Sequence, residues 1–157
     1  MLLPSGGGAQ APAATPSVPP LPGAPSPMAF DRSTLTIETS VGERKFDVEL
    51  ALTPEQHQRG LMFRKSMGAM EGMLFDNGVE RPTAFWMANT LIPLDMLFIA
   101  GDGTIVRIHP NAVPLSTDTI PSGAPVRGVL ELNGGAARML GIKPGDKVRH
   151  AIFGNAK

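Results

Sequence analysis

Leu94-Asp95-Met96-Leu97-Phe98-Ile99-Ala100, followed by Gly101-Asp102-Gly103 and Thr104-Ile105-Val106-Arg107-Ile108-His109, is the stretch that decides the fold. Its first seven residues are apolar apart from Asp95 and show no alternation, so the strand they form is buried on both faces and belongs inside a sheet. The Gly-Asp-Gly segment turns the chain, and Thr104 to His109 returns as the hairpin partner.

Upstream of this hairpin, Gly72-Met73-Leu74-Phe75 and Ala84-Phe85-Trp86-Met87 carry further strand signal. Nearer the start, Leu35 and Ile37 alternate with Thr34, Thr36 and Glu38. After the turn Val41-Gly42-Glu43, Phe46, Val48 and Leu50 alternate with Asp47 and Glu49. That period of two predicts a half-buried antiparallel hairpin. Thr53-Pro54-Glu55-Gln56 supplies a hydroxyl cap, a proline at the first helical position and a Gln able to complete a capping box. Gly60 stops the helix, which is too short to stand without tertiary packing.

Downstream, Asn111 to Pro125 is a loop with prolines at 114, 121 and 125, and loops of that length in compact domains tend to be functional. Val129 to Leu132 reads as a strand, Gly135 to Leu140 as a short helix, and Lys147 to Phe153 as a last strand after the Lys143-Pro144-Gly145-Asp146 turn. Seven or eight short strands and two small helices predict a mainly β class: a compact antiparallel β-sandwich or barrel-like domain over residues 31–157.

Residues 1–30 contain no charged side chain and hold eight of the sixteen prolines. They read as a semi-stiff Pro/Gly/Ala-rich spacer. Gly8-Ala9-Gln10 looks like the small-residue end of a signal-peptide cleavage site, although the nine residues before Gln10 lack a positive start and a full apolar stretch. A truncated signal peptide followed by a tether fits a periplasmic or secreted protein; a cytoplasmic protein with a disordered tail is the alternative.

Fourteen basic residues balance fourteen acidic ones, so no overall field attracts polyanions and nucleic-acid binding is not expected. The absence of cysteine excludes disulfides, thiolate nucleophiles and sulfur-rich zinc sites. No apolar run reaches the ~20 residues of a membrane-spanning helix. His57, His109 and His150 lack ligand spacing, and no glycine-rich loop follows a strand. No cofactor is expected on these grounds.

The densest polar segment runs from Phe85 to Asp95 and contains the only tryptophan, Trp86. Strand ends and loops are where scaffolds hold functional groups, which makes Trp86, Asn89, Thr90 and Asp95 candidates for ligand binding. The competing account places Phe85 and Trp86 in the core and has Asn89 and Asp95 shape the turn through backbone hydrogen bonds. Six of the nine methionines, Met62, Met67, Met70, Met73, Met87 and Met96, fall within one stretch. Thioethers suit Cu(I), so Met67 and Met70 are candidate metal ligands, while methionine is equally a filler of irregular cores.

Gly60-Leu61-Met62-Phe63-Arg64, Gly72-Met73-Leu74-Phe75, Phe85-Trp86-Met87-Ala88-Asn89-Thr90, Pro93-Leu94-Asp95, Leu130-Glu131-Leu132 and Gly141-Ile142-Lys143-Pro144-Gly145-Asp146 occur in that order. Together they resemble the landmarks of the bacterial and archaeal family called domain of unknown function 192, over about Thr36 to Phe153. The resemblance implies a compact antiparallel β fold, often in proteins exported to the cell envelope, and no established activity. One departure stands out: the family commonly has Lys where this chain has Ala88.

The positions matching the family's polar landmarks are Arg64, Asn89, Thr90, Asp95 and Glu131. The planar fork of Arg64 could bind a carboxylate or phosphate, or pair with Asp95 or Glu131 as a structural clamp. Asp95 and Glu131 could serve as acid and base of a glycosidase-like hydrolase. The leading expectation is a non-catalytic envelope module that binds a small molecule, glycan or protein partner at the rim formed by Asn89 to Asp95 and the loop 111–125. A hydrolase using Asp95 and Glu131 and a Met-based copper-handling protein are the alternatives.

Overall fold

The protein is described here by a computed structural model covering residues 26–156. The spacer and cleavage-site expectations for residues 1–25 lie outside the described residues. Strands take 46% of the described residues and helices 11%, which makes the domain mainly β. In order they are β1 (Asp31–Thr39), β2 (Gly42–Ala51), α1 (Pro54–Arg59), β3 (Glu71–Arg81), β4 (Ala84–Phe85), β5 (Leu94–Ile99), β6 (Ile105–Ala112), β7 (Ile120–Pro121), β8 (Val126–Asn133), α2 (Ala136–Leu140) and β9 (Lys147–Arg149).

Seven strands form one curled sheet in the order β6-β5-β8-β3-β2-β1-β9, and β4 pairs with β7 in a separate ribbon. The two ends of the large sheet touch. Thr104 bridges Lys147, the Ile105 amide donates to the Asp146 carbonyl at 2.9 Å, and the Val148 amide donates to the Gly103 carbonyl at 2.7 Å. Contact between the first and last strands makes a half-barrel, the barrel-like form of the two expected architectures.

Three local features differ from the sequence expectation. β2 and β3 run parallel, from Asp47 opposite Glu71 to Ala51 opposite Phe75, with the α1 segment as the crossover. A helix of six residues gives too little periodic signal to announce such a crossover. The ribbon strands β4 and β7 are two residues each, which brings the number of strands to nine. The last strand ends at Arg149, and Ala151–Phe153 forms a 3-10 turn capped by the Ile152 amide donating to His150 Nδ1 at 3.2 Å.

The predicted capping box of α1 is complete. The Gln56 amide donates to Thr53 Oγ1 at 3.2 Å, and the Thr53 amide donates to Gln56 Oε1 at 3.1 Å. Every residue of β5 is buried, as its unbroken apolar run requires. Alternate side chains of the central strands enter two separate cores. Leu35, Ile37, Phe46, Val48, Leu74, Leu97, Ile99, Leu130 and Leu132 fill the concave interior. Met73, Phe75, Phe85, Met87, Leu94, Met96, Phe98 and Val129 form a second layer on the opposite face. Phe85 stacks edge-on against Phe75 and Phe98, with ring centroids 5.0 and 6.3 Å away, so the β4–β7 ribbon is anchored over this second layer.

Candidate functional site

Asp95 and Glu131 are both buried, on neighbouring strands. In the β5–β8 ladder Asp95 faces Leu132 and Met96 faces Glu131. Directly opposed residues share a face of the sheet. Asp95 therefore leaves on the side of Leu132 and the interior core, and Glu131 leaves on the side of Met96 and the second layer. The expected acid–base pair is not brought together.

Asp95 is occupied by backbone. Its Oδ1 accepts from the amides of Asn111 (2.9 Å) and Gly135 (3.0 Å), and its Oδ2 accepts from Ala137 (2.9 Å). One carboxylate thus ties β5 to the end of β6 and to the start of α2, with partners 16 to 42 residues away in sequence, rather than bonding nearby backbone to shape its own turn. Glu131 lies in a row across the sheet between Met73 on β3 and Met96 on β5. Burial among these side chains pushes its carboxyl above the usual carboxylate range.

Arg64 pairs with neither of these acids. Its guanidinium makes a two-armed contact with Glu49, at 2.6 and 2.8 Å, and this hydrogen bonding raises its pKa further. Glu49 lies opposite Met73 in the parallel β2–β3 ladder, so the clamp expected of Arg64 exists with a partner that only the parallel register brings within reach. The guanidinium also sits 5.9 Å from the centre of the Phe30 ring.

Trp86, Asn89 and Thr90 lie in a turn that two other loops meet. The Phe63 amide donates to the Asn89 carbonyl at 2.8 Å, Leu115 donates to the Thr90 carbonyl at 3.0 Å, and Met87 donates to the Ser116 carbonyl at 2.9 Å. These bonds join the loop after α1, the turn 86–90 and the loop 111–125 into one surface. Thr90 is buried and its hydroxyl donates to the Ala88 carbonyl, so it shapes the turn. Asn89 is exposed, with its amide 3.9 Å from Met62 Sδ. Trp86 is half-buried against the second layer, and its Nε1 is shielded without an acceptor among the described residues. Met67 packs against the same layer, whereas Met70 is exposed. Among the described residues no group of three or more His, Asp or Glu side chains could hold a metal ion.

Backbone strain concentrates here. Among the described residues the non-glycine positions with left-handed backbone are Phe63 (φ 66°), Asn89 (φ 54°), Asn111 (φ 48°) and Leu115 (φ 67°), and all four lie on the rim segments. Asn adopts this geometry readily, but for Phe and Leu it is an outlier that the surroundings must impose. The same segments expose apolar side chains: Phe63 at 41%, Leu91 at 44%, Val113 at 66% and Leu115 at 59%. Asn89 was recognisable as a turn residue and Asn111 as the start of a loop. Phe63 and Leu115 carry no sequence signal for positive φ, which depends on contacts between loops far apart in the chain.

The fold is that of a mainly β half-barrel domain. Residues 36–150 match the family described as Uncharacterized ACR, domain of unknown function 192, and the chain belongs to that family. A crystal structure of a Sinorhizobium meliloti 1021 protein, described as a candidate transcription regulator, is 47% identical. It superposes with a TM-score of 0.78 over 81% of this chain and 99% of that one. A protein of unknown function from Novosphingobium aromaticivorans is 40% identical, with a TM-score of 0.76 over 92% of this chain and 100% of that one. No match was found among curated proteins.

Proposed function

We propose that the chain is a non-catalytic binding module of the cell envelope that takes a small molecule, glycan or protein partner at the rim around Phe63, Asn89 and Leu115. The observation that carries this is the coincidence of strain and exposure: large residues held in left-handed backbone at Phe63 and Leu115 present apolar side chains to solvent. A fold selected for stability alone favours glycine at such positions, and strain of this kind concentrates where structure is kept for function. Asp95 and Glu131, on opposite faces, give no support to the hydrolase alternative. The copper alternative draws on Met67 and Met70, of which one packs in the second layer and the other is exposed. A role in the envelope rests on the Gly8-Ala9-Gln10 and proline-rich sequence that precedes the domain.

The test is a thermal-shift panel on the full chain against Cu(I), divalent cations, cell-wall fragments and oligosaccharides, run beside the Leu115→Gly variant. A ligand at a hundred times its dissociation constant adds about 2.7 kcal/mol and raises the midpoint by several degrees. Binding that Leu115→Gly weakens supports the rim, and binding that it leaves untouched places the site elsewhere. A shift confined to Cu(I) and abolished by replacing Met67 and Met70 would favour copper handling instead.

A further inference from the structure

We infer that His150 is a proton-operated latch: near neutral pH it holds the 3-10 turn that covers one end of the interior core, and acid releases that turn and loosens the β6–β9 seam. None of its parts belongs to the rim segments, so it stands apart from the reading of the rim.

The protonation state follows from the partners. The Ile152 amide can only donate, so His150 Nδ1, its acceptor at 3.2 Å, carries a lone pair and no proton. The neutral ring then bears its proton on Nε2, which donates to Ser33 Oγ at 2.8 Å and ties β1 to the residues after β9. With no lone pair turned toward Ser33, the pair is not a nucleophile with its general base. A second proton makes Nδ1 a donor facing the donor of Ile152, and the cap is lost. His150 is 6% exposed, and burial pushes its pKa below the ordinary 6.5, against the attraction of Asp76.

The turn that the latch holds covers the interior core. Phe153 is buried in that core and Ile152 packs against it. A Cβ on Gly128 of β8 would stand 3.2 Å from Phe153 and 3.4 Å from Ile152. Asn155 follows the turn and spans the seam. Its Oδ1 accepts from the His150 amide at 3.0 Å, and its Nδ2 donates to the carbonyls of Val148 (2.9 Å) and Asp102 (3.2 Å). Loss of the cap therefore frees a plug and a clasp together.

The charged neighbours come from several strands. Arg149 of β9 is held by Glu38 of β1 at 3.0 and 3.1 Å, and Asp76 of β3 by Arg127 of β8 at 2.7 and 3.3 Å. At the seam Lys147 lies 3.5 Å from Asp102. Glu43 and Lys45 of β2 border a cavity of about 420 Å³ that reaches Ser33 and His150 and brings protons to the ring. Folded-state pKa below the unfolded one means that the latch contributes its stability above the unfolded pKa and loses it as pH falls toward the folded one.

The experiment is an NMR titration of the full chain from about pH 8 to about pH 5, the range in which histidine changes charge. The ring nitrogens of His150 should report the Nε2–H form at the upper end, and the Ile152 amide should shift with the midpoint of the ring. Protection of the Ile152 and Val148 amides against exchange should fall by up to about tenfold per pH unit, the limit for one proton, and more than in β5. His150→Asn keeps an acceptor for the amide two residues on and does not titrate, so its protection there should hold across the range. His57 and His109, whose pKa values burial also lowers, are unchanged in that variant, and any pH dependence it retains is theirs. The latch is overturned if the His150 ring titrates without moving Ile152, or if His150→Asn loses protection as the parent does. Should the variant fail to fold, the comparison of midpoints in the parent decides alone.

Discussion

Asp95 and Glu131 sit one register step apart on paired strands and point to opposite faces of the sheet. That single step separates two buried carboxyl groups into different physical situations. Asp95 is encircled by three backbone amides, and Glu131 is embedded between methionines.

Asp95→Asn should weaken the fold. An amide group cannot accept at both ends, so one of the three backbone donors loses its partner, at about 1–3 kcal/mol for a buried donor. Urea unfolding at neutral pH checks this, and a variant as stable as the parent would show that the three contacts contribute nothing.

Glu131→Gln should flatten the pH dependence of stability. Burial raises the folded pKa of Glu131 above its ordinary value of 4.5, so the folded protein holds this proton to higher pH than the unfolded chain does. The contribution of the protonated form is fully present below the unfolded pKa and is lost as pH rises through the folded one. Relative to the parent, the glutamine variant should therefore gain stability with pH across that window. Parallel curves of unfolding free energy against pH would refute this.

Leu115→Gly should make the protein more stable. A non-glycine residue in left-handed backbone carries roughly 1–2 kcal/mol of strain, and glycine loses roughly 0.5–1 kcal/mol more entropy on folding. Leu115 is 59% exposed, so little burial is sacrificed. A gain of up to about 1 kcal/mol corresponds to a few degrees in Tm, read by calorimetry. A fall in Tm would mean that the leucine side chain stabilises the rim more than its backbone strains it.

Gly103→Ala should open the seam between β6 and β9. Gly103 has φ of +91°, and a Cβ there would run into the Val148 carbonyl and come within 2.6 Å of Asn155 Nδ2. Strain of this kind amounts to about 1–3 kcal/mol. Hydrogen exchange should quicken at the Ile105 and Val148 amides more than in β5 and β8, and uniform protection would count against the seam as a weak point.

Much of the fold was legible because its signals are local. The alternation in β1 and β2, the unbroken apolar run of β5 and the Thr53–Gln56 capping box each depend on neighbours in sequence, and each appears in the structure. The parallel pairing of β2 with β3 was not legible, since only tertiary packing of the Met73 and Phe75 face selects it over a further hairpin. The candidate residues stood out by type but not by arrangement. Arg64, Trp86, Asn89 and Asp95 stand out as residue types, yet which of them meet depends on pairings such as Arg64 with Glu49 and Phe63 with Asn89.

The seam at Thr104 and Lys147 also sets a timetable. β1 pairs with β9, and β9 meets the start of β6, so the strand that links both margins of the sheet is the last to be synthesised. During translation the earlier strands can pair with one another, but the margins of the half-barrel stay unjoined until residue 149 is available. Pairings this distant in sequence are slow to form. A nascent chain stalled before β9 would therefore display the open margins of β1 and β6, the state in which such a protein most needs shelter from its neighbours.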